Sequence, residues 1–191
     1  MQSYHAYSLS FSVLSTERIA RKFGSYGIEV IEYKDNIRVS NLYSYEAAGP
    51  ICRTFAVVAL TERVEAAFSA KHDLVTEGGS IGTVFKSHGW DIHKHHQYIG
   101  DLEIDSRSKR IGRLMRIDPP ASLAIHIYVF AISKNGSSFD YAMIAEVHHP
   151  AYLTSTVLRS IYGNEYSGDK NQGEVRQVLA LVSGKFRDPA R

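Results

Sequence analysis

The pattern of apolar residues in the second half of the chain predicts a β-hairpin. Apolar side chains dominate 123–132 and again 139–148, and Lys-Asn-Gly-Ser separates the two runs. The pair Asn135-Gly136 is the strongest short hairpin signal that a sequence carries, because both positions tolerate a positive φ. Both runs are apolar at nearly every position, which indicates a central place in a sheet that is covered on both faces.

Glu146 is the residue that does not fit this apolar hairpin. A two-residue turn sets Lys134 opposite Ser137, and a regular ladder then sets Glu146 opposite Ile125. An ionised carboxylate inside such a hairpin is costly unless another group pairs with it, so we expect Glu146 to be paired for structure or kept for chemistry. Because alternate residues of a strand point to the same face, we expect Glu146 to share a face with Ile127, Val129, Ala142 and Ile144.

The rest of the chain alternates between strand and helix patterns. Turn residues divide three strands into an antiparallel meander, 28–33, 37–45 and 51–60. Such a mixture predicts the α+β class, with a single antiparallel β-sheet and inserted and flanking helices in one domain, 1–191. The sequence further predicts strands at 7–13, 90–104 and 111–117, helices at 16–23, 62–74, 81–88 and 151–162, and a polar loop at 164–173; the type of the apolar element at 175–182 stays open.

Composition narrows the class of partner. The 191 residues carry a net charge of +2 with both signs interspersed, which is typical neither of nucleic-acid binding nor of anionic membrane binding. No stretch reaches transmembrane length. The single cysteine, Cys52, excludes an internal disulfide and lies in an apolar run, so we expect a buried structural thiol, a reducing compartment and a cytoplasmic protein. The oligomeric state stays open.

Two arginines lie inside predicted strands. Arg38 and Arg53 each offer a planar pair of donors that suits a carboxylate, if the side chain reaches into a pocket. Taken alone, each is more often a surface arginine on the solvent side of the meander. The register of the turn at 46–50 decides between these positions, and the sequence does not determine that register.

The segment from Gly78 to Gly82 matches the G-x-S-x-G pattern of serine hydrolases. That motif requires a strand before the serine, and the preceding segment has a helical pattern, so a nucleophile elbow is disfavoured. We predict instead that Ser80 opens a short helix. Its first backbone N–H groups could bind an anion, and a simple helix cap is the alternative.

The histidines do not assemble a metal site by spacing. His93 and His95 share one side of a strand beside His96, but nothing at a set spacing supplies a third ligand, so no metal is expected. His148 follows Glu146 on the same face and could line the same pocket, although a lone histidine is more often structural. The chain has no G-x-G-x-x-G after a strand and no Gly-Lys-Ser/Thr, so no nucleotide cofactor is expected.

Three blocks of the sequence occur in an order known from one family. Arg38 and Arg53-Thr54 are separated by fourteen residues, a glycine-rich helix start follows at 79–85, and 145–152 holds a glutamate, a proline and a tyrosine. Over about 38–152 the chain resembles the chorismate pyruvate-lyase family and its relatives, which include effector domains of some bacterial transcription regulators. The resemblance implies the chorismate lyase-like fold.

The resemblance also implies roles for single residues. Arg38 would hold a substrate carboxylate and Glu146 would face the ring oxygen at the other end of the substrate. The pocket would be lined near Ser80, Ile81 and Gly82, and Arg53 and His148 are further substrate-binding candidates. The family's reaction eliminates pyruvate from chorismate and needs no cofactor. A glutamate whose pKa is raised by an apolar setting could serve that reaction as an acid or as a hydrogen-bond partner.

Three functions therefore remain open. In the first case, the protein is a cofactor-free, lyase-like enzyme acting on a small carboxylated ring compound, with Arg38 and Glu146 as anchors. Alternatively, it is a binding module of the same fold that holds an aromatic acid without turning it over. In the third case, Glu146 pairs with an internal arginine for structure alone.

Overall fold

A computed structural model of the protein describes residues 14–163 and 173–187. The strand predicted at 7–13 lies outside these residues. So does the polar loop predicted at 164–173, except for Gly173.

One antiparallel sheet organises the described part of the chain. Its six strands follow the order β1-β2-β3-β6-β5-β4, so the long hairpin β5–β6 lies inside the sheet, as its apolar character predicts. The first three strands form the predicted meander. The strands are β1 (Gly27–Lys34), β2 (Ile37–Glu46), β3 (Gly49–Leu60), β4 (Asp91–Ile104), β5 (Ala121–Lys134) and β6 (Ser137–His148).

Helices cover both faces of the sheet and create two separate cores. One core holds Ile19 of the first helix and Leu158 of the fifth, and the other holds Ile111 of the fourth and Val182 of the sixth. The predicted α+β class with a single antiparallel sheet is confirmed. The helices are α1 (Ser15–Phe23), α2 (Ser69–Thr76), α3 (Ile81–Ser87), α4 (Lys109–Met115), α5 (Ser155–Tyr162) and α6 (Gly173–Lys185).

A bulge in the hairpin changes the predicted position of Glu146. Lys134 pairs with Ser137 as expected, but the register shifts between Phe130 and Ala131, where Tyr141 is the extra residue on β6. Glu146 therefore lies opposite His126, and the predicted pairing with Ile125 is wrong. Its face of β5 carries His126, Tyr128 and Phe130, whereas Ile127 and Val129 point to the other side of the sheet.

Several element boundaries also differ from the sequence-based expectation. The strand predicted at 111–117 is wrong: residues 111–115 belong to α4, in which Ile111 and Met115, four residues apart, are buried together. The open element at 175–182 is the helix α6. Helix α2 begins only at Ser69, and α5 begins after Thr154, whose side chain accepts a hydrogen bond from the backbone N–H of Val157 at 3.3 Å.

Two further expectations concern the burial of Cys52 and the presence of membrane-spanning helices. Cys52 is 1% exposed on β3, which confirms a buried thiol, and burial raises the pKa of that thiol. In residues 14–163 and 173–187, no helix has both the length and the apolar character needed to cross a membrane.

Candidate ligand pocket

A pocket lies on the Glu146 face of the sheet, between the strands and the helices α1 and α3. Its cavity volume is ≈ 70 Å3, which is room for several water molecules or a small ligand. Five of the seven predicted site residues line it: Arg38, Ser80, Ile81, Gly82 and Glu146. Its walls are otherwise mostly apolar and include Leu14, Ile28, Leu42, Ala56, Val58, Tyr128, Phe130 and Ile144.

Strand pairing explains why Arg38 and Glu146 reach the same pocket. Arg38 pairs with Val58, and Val58 pairs with Ile144, so these three residues form one row across β2, β3 and β6. Glu146 lies two residues further along β6 on the same face. Two strand spacings and two residues separate the Cα atoms of Arg38 and Glu146 by about 12 Å. Their side chains therefore stand at different ends of one cavity.

Arg38 is buried without a counter-ion. It is 2% exposed, its Nε donates to Ser40 Oγ at 2.9 Å, and its Nη1 donates to the carbonyl oxygens of Val75 and Gly79 at 2.9 and 2.8 Å. Within the described ranges, no carboxylate lies within 4.0 Å of its guanidinium. Burial lowers the pKa of Arg38, yet an arginine stays charged at neutral pH. The pocket therefore holds a positive charge that only neutral oxygens solvate.

Glu146 stays ionised in its buried position. It is 6% exposed, accepts a hydrogen bond from Ser15 Oγ at 2.7 Å and is also hydrogen-bonded to Tyr128. Burial by itself raises the pKa of its carboxyl, but nearby positive charge, mainly from Lys94, and the Ser15 hydrogen bond outweigh that effect. The pKa of Glu146 lies below its ordinary value, so the expectation of a raised pKa is wrong.

Lys94 is a pocket residue that sequence reasoning missed. It lines the cavity, and its Nζ lies 4.5 Å from the centroid of the Tyr128 ring. Strand alternation could have predicted this position, because His93 and His95 are exposed and Lys94, between them, faces inward.

Arg53, a predicted substrate-binding residue, does not line the pocket. It forms an ion pair with Glu46, donates from Nε to Ser44 Oγ at 2.8 Å and lies 3.9 Å from the centroid of the Phe23 ring. These contacts satisfy its charge within the protein and hold the β2–β3 end of the sheet against α1.

His148 lies beside Glu146 but also outside the pocket lining. It is 1% exposed, and its Nδ1 shares a hydrogen bond with Thr54 Oγ1 at 3.0 Å. Burial lowers the pKa of His148 to about 4, so the imidazole is neutral at physiological pH. Nearby, the fully buried His126 hydrogen-bonds through Nε2 to His96 Nδ1 at 2.7 Å. The spacing of these two residues in the sequence does not predict this contact.

The histidines form no metal site in the part of the chain that the structure covers. Neither His93, His95 and His96 nor any other group of three or more His, Cys, Asp or Glu side chains is arranged to hold a metal ion. His93 instead shares a hydrogen bond with Ser133 at 3.1 Å.

The glycine-rich segment opens the helix α3 at Ile81 and follows the helix α2. No strand leads into Ser80, so the nucleophile elbow is absent there, and the predicted helix start is confirmed. Gly82 leaves room for the side chain of Leu14, which directly precedes α1, because a Cβ at this position would lie 2.5 Å from Leu14 Cδ2. The small residue brings Leu14 to the rim of the pocket.

Comparison with family models found no match, and comparison with curated proteins found none. The solved structures that are similar to this chain include two C-terminal domains. The PhnF C-terminal domain has a TM-score of 0.44 and 9% identity, over 71% of this chain and 76% of that one. The C-terminal domain of Yurk from Bacillus subtilis subsp. subtilis str. 168 has a TM-score of 0.37 and 13% identity, over 67% and 89%. At these values neither likeness carries an inference about function, which has to come from the pocket.

Proposed function

We propose that the protein binds a small carboxylated ring compound in this pocket, without a cofactor and without turning it over. One observation carries the proposal: the buried guanidinium of Arg38 lines the cavity and has no carboxylate partner among the described residues. An uncompensated buried charge is costly, and an anionic ligand would neutralise it. The apolar and aromatic walls suit a ring.

The state of Glu146 favours binding over catalysis. An ionised carboxylate accepts hydrogen bonds but has no proton to give, so it is poorly prepared as a general acid. A hydroxyl group on the ligand could donate to it, in the place where Ser15 now donates. The ligand would thus carry an acid group at the Arg38 end and a hydroxyl at the Glu146 end.

The lyase that eliminates pyruvate from chorismate is the second candidate function. It is favoured by the five residues that the family resemblance singles out and that line one pocket: Arg38, Ser80, Ile81, Gly82 and Glu146. It needs the same anchors, and it differs only in whether bound chorismate is converted.

Calorimetric titration with 4-hydroxybenzoate and benzoate tests the binding function. We expect the parent protein to bind 4-hydroxybenzoate and Arg38→Met to lose at least about tenfold in affinity, since a charge-assisted hydrogen bond is lost. Arg176→Met, which changes an exposed arginine of α6, is the matched control and should bind like the parent. If the parent binds neither acid, or Arg38→Met binds both unchanged, the proposed function is wrong.

An assay of pyruvate release from chorismate separates the two candidates. Release by the parent, and by neither Arg38→Met nor Glu146→Gln, would establish the lyase. Binding of 4-hydroxybenzoate without pyruvate release would leave the binding module.

A further inference from the structure

A second polar cluster lies behind Glu146, away from Arg38. It consists of Arg18 on α1, His126 on β5 and His148 on β6, which are 4%, 0% and 1% exposed. Tyr162 of α5 joins two of them, because its hydroxyl accepts from Arg18 Nη1 at 3.3 Å and its ring centroid lies 4.6 Å from that of His126. His126 is the cross-strand partner of Glu146, and His148 follows Glu146 on the same face. Arg18 and His148 both act electrostatically on His126 and on Glu146, so the three side chains lie close together beside this glutamate.

Most of the unsatisfied polar atoms of the interior belong to this cluster. In residues 14–163 and 173–187, five buried side-chain atoms lack a hydrogen-bond partner, and four of them are Arg18 Nε, Arg18 Nη2, His126 Nδ1 and His148 Nε2. The other polar atoms of these residues are used, since His126 bonds to His96 and His148 to Thr54. A buried donor without an acceptor costs free energy, and native proteins rarely leave several together.

The free atoms of Arg18 have the geometry of an oxyanion site. Nε and Nη2 carry the two N–H groups along one edge of the guanidinium, and such an edge binds the two oxygens of a carboxylate in parallel. A neutral imidazole can donate from the nitrogen that its other contact leaves free. Arg18 has no carboxylate within 4.0 Å among the described residues. The hydroxyl of Tyr152 lies close enough to interact with its guanidinium, but neither Nε nor Nη2 makes a hydrogen bond of good geometry.

The charges around the cluster are not balanced, and one anion would balance them. Arg18 and Lys94 both act on Glu146, which makes two positive charges against one negative. Glu146 takes its hydrogen bonds from Ser15 and Tyr128 and not from Arg18. One added negative charge would balance the group.

We propose that Arg18, His126 and His148 form an enclosed site for one small oxyanion of the carboxylate type, distinct from the Arg38 end of the pocket. The anion is either a free small carboxylate or the acid group of a ligand that enters past Glu146. Both have the same chemistry at the site.

Thermal unfolding with formate, acetate and benzoate, each against chloride at equal ionic strength, tests this site. We expect a saturable rise in the melting temperature of the parent, with changes in the imidazole NMR signals of His126 and His148. A response to formate or acetate that persists in Arg38→Met identifies a free anion, and a response to benzoate alone that persists in Arg38→Met identifies a ligand group entering from the pocket. If no anion gives a saturable response, water alone satisfies the four atoms and the proposal is overturned.

Arg18→Met separates a binding role from a structural one. Without added anion this variant should melt at or above the parent temperature, because it removes a buried charge whose donors are unmet. Combined with Arg38→Met, which removes the other anion-binding end, it should abolish the remaining response to the anions. A lower melting temperature with an unchanged anion response would overturn the proposal. If Arg18→Met does not fold, Arg18→Lys keeps the charge, removes the paired donors and should likewise lose the response. Arg38→Met tests the other end, so the two proposals can fail separately.

Discussion

Two buried arginines of this protein differ in what compensates their charge. Arg53 has the carboxylate of Glu46, a serine and an aromatic ring around it, whereas Arg38 has only neutral oxygens. The same residue type in two neighbouring strands therefore has an internal ion pair in one case and lines a pocket in the other. Sequence alone could not separate them, because the distinction depends on partners that come from other parts of the chain.

Arg53→Met should lower stability without changing ligand binding. Its loss removes a charge-assisted contact, but Glu46 is half exposed and can be solvated, so we expect a decrease of about 1–3 kcal/mol in the free energy of unfolding. Urea unfolding measures the decrease, and Arg176→Met should cause none. Weaker binding of 4-hydroxybenzoate by a stably folded Arg53→Met would contradict this structural assignment.

Glu146→Gln should change selectivity among ligands. The variant loses a charged acceptor, so 4-hydroxybenzoate should bind about tenfold more weakly, while benzoate, which has no hydroxyl, should bind nearly as before. Titration of both acids gives the ratio, and Glu103→Gln, on an exposed position of β4, is the control. Equal losses for the two acids would place the ligand hydroxyl elsewhere.

At the scale of elements, the connection between α2 and α3 depends on close backbone approach. A Cβ on Gly79 would lie 2.7 Å from the carbonyl oxygen of Leu74 and 2.8 Å from Val84 Cγ2, and the carbonyl of Gly79 accepts from Arg38. Backbone atoms cannot move aside as a side chain can. A substitution at Gly79 therefore has to displace the segment that places Ser80 and Ile81 at the pocket.

Gly79→Ala should therefore destabilise the protein by roughly 1–3 kcal/mol and weaken ligand binding as well. Gly184→Ala provides the matched comparison, because Gly184 lies in α6 with nothing within 4 Å, and alanine there should stabilise the helix by up to about 1 kcal/mol. Chemical denaturation of the pair measures both effects. Similar stabilities for the two variants would show that the α2–α3 connection tolerates a side chain.

At this scale, the sequence pattern of the hairpin predicts its turn but not its bulge. Asn135 and Gly136 adopt φ values of 52° and 80°, as the turn signal requires, and the turn pairs the expected residues. Tyr141 then enters as one extra residue, for which the sequence has no marker, and it reverses which face of β5 meets Glu146. Similarly, the 111–117 segment is too short for its period to distinguish helix from strand.

At the scale of the whole molecule, two cores share one sheet, and Arg38, His126, Glu146 and His148 all lie on the face of the first core. Arg38 and Glu146 could be assigned to one pocket from the order of the motifs. Arg18 and His126 could not, because they come from α1 and β5 and meet only through tertiary packing. Each has a weak signal in the sequence: Arg18 lies beside the fully buried Ile19 in a short amphipathic helix, and His126 interrupts an apolar run.

Stability should fall on acidification, and His148 should account for part of the loss. Its pKa is about 4 in the folded protein against an ordinary 6.5, so the unfolded chain binds more protons between these values and stability declines as the pH falls through this range. We expect a loss of about 2 kcal/mol from this residue between pH 7 and pH 5. Urea unfolding at both pH values should show a smaller loss for His148→Asn than for the parent. His95→Asn, on the exposed side of β4, should keep the full loss; equal losses in all three proteins would contradict the assignment.

The burial of Cys52 makes the chain convenient for site-specific labelling. It is the single cysteine of the sequence and lies within the sheet, out of reach of thiol reagents in the folded state. A cysteine introduced at an exposed position of α3, next to the pocket, would therefore be the only site where a fluorescent dye could attach. A dye placed there would report on occupancy of the pocket, and the same dye on α6 would provide a reference across the sheet.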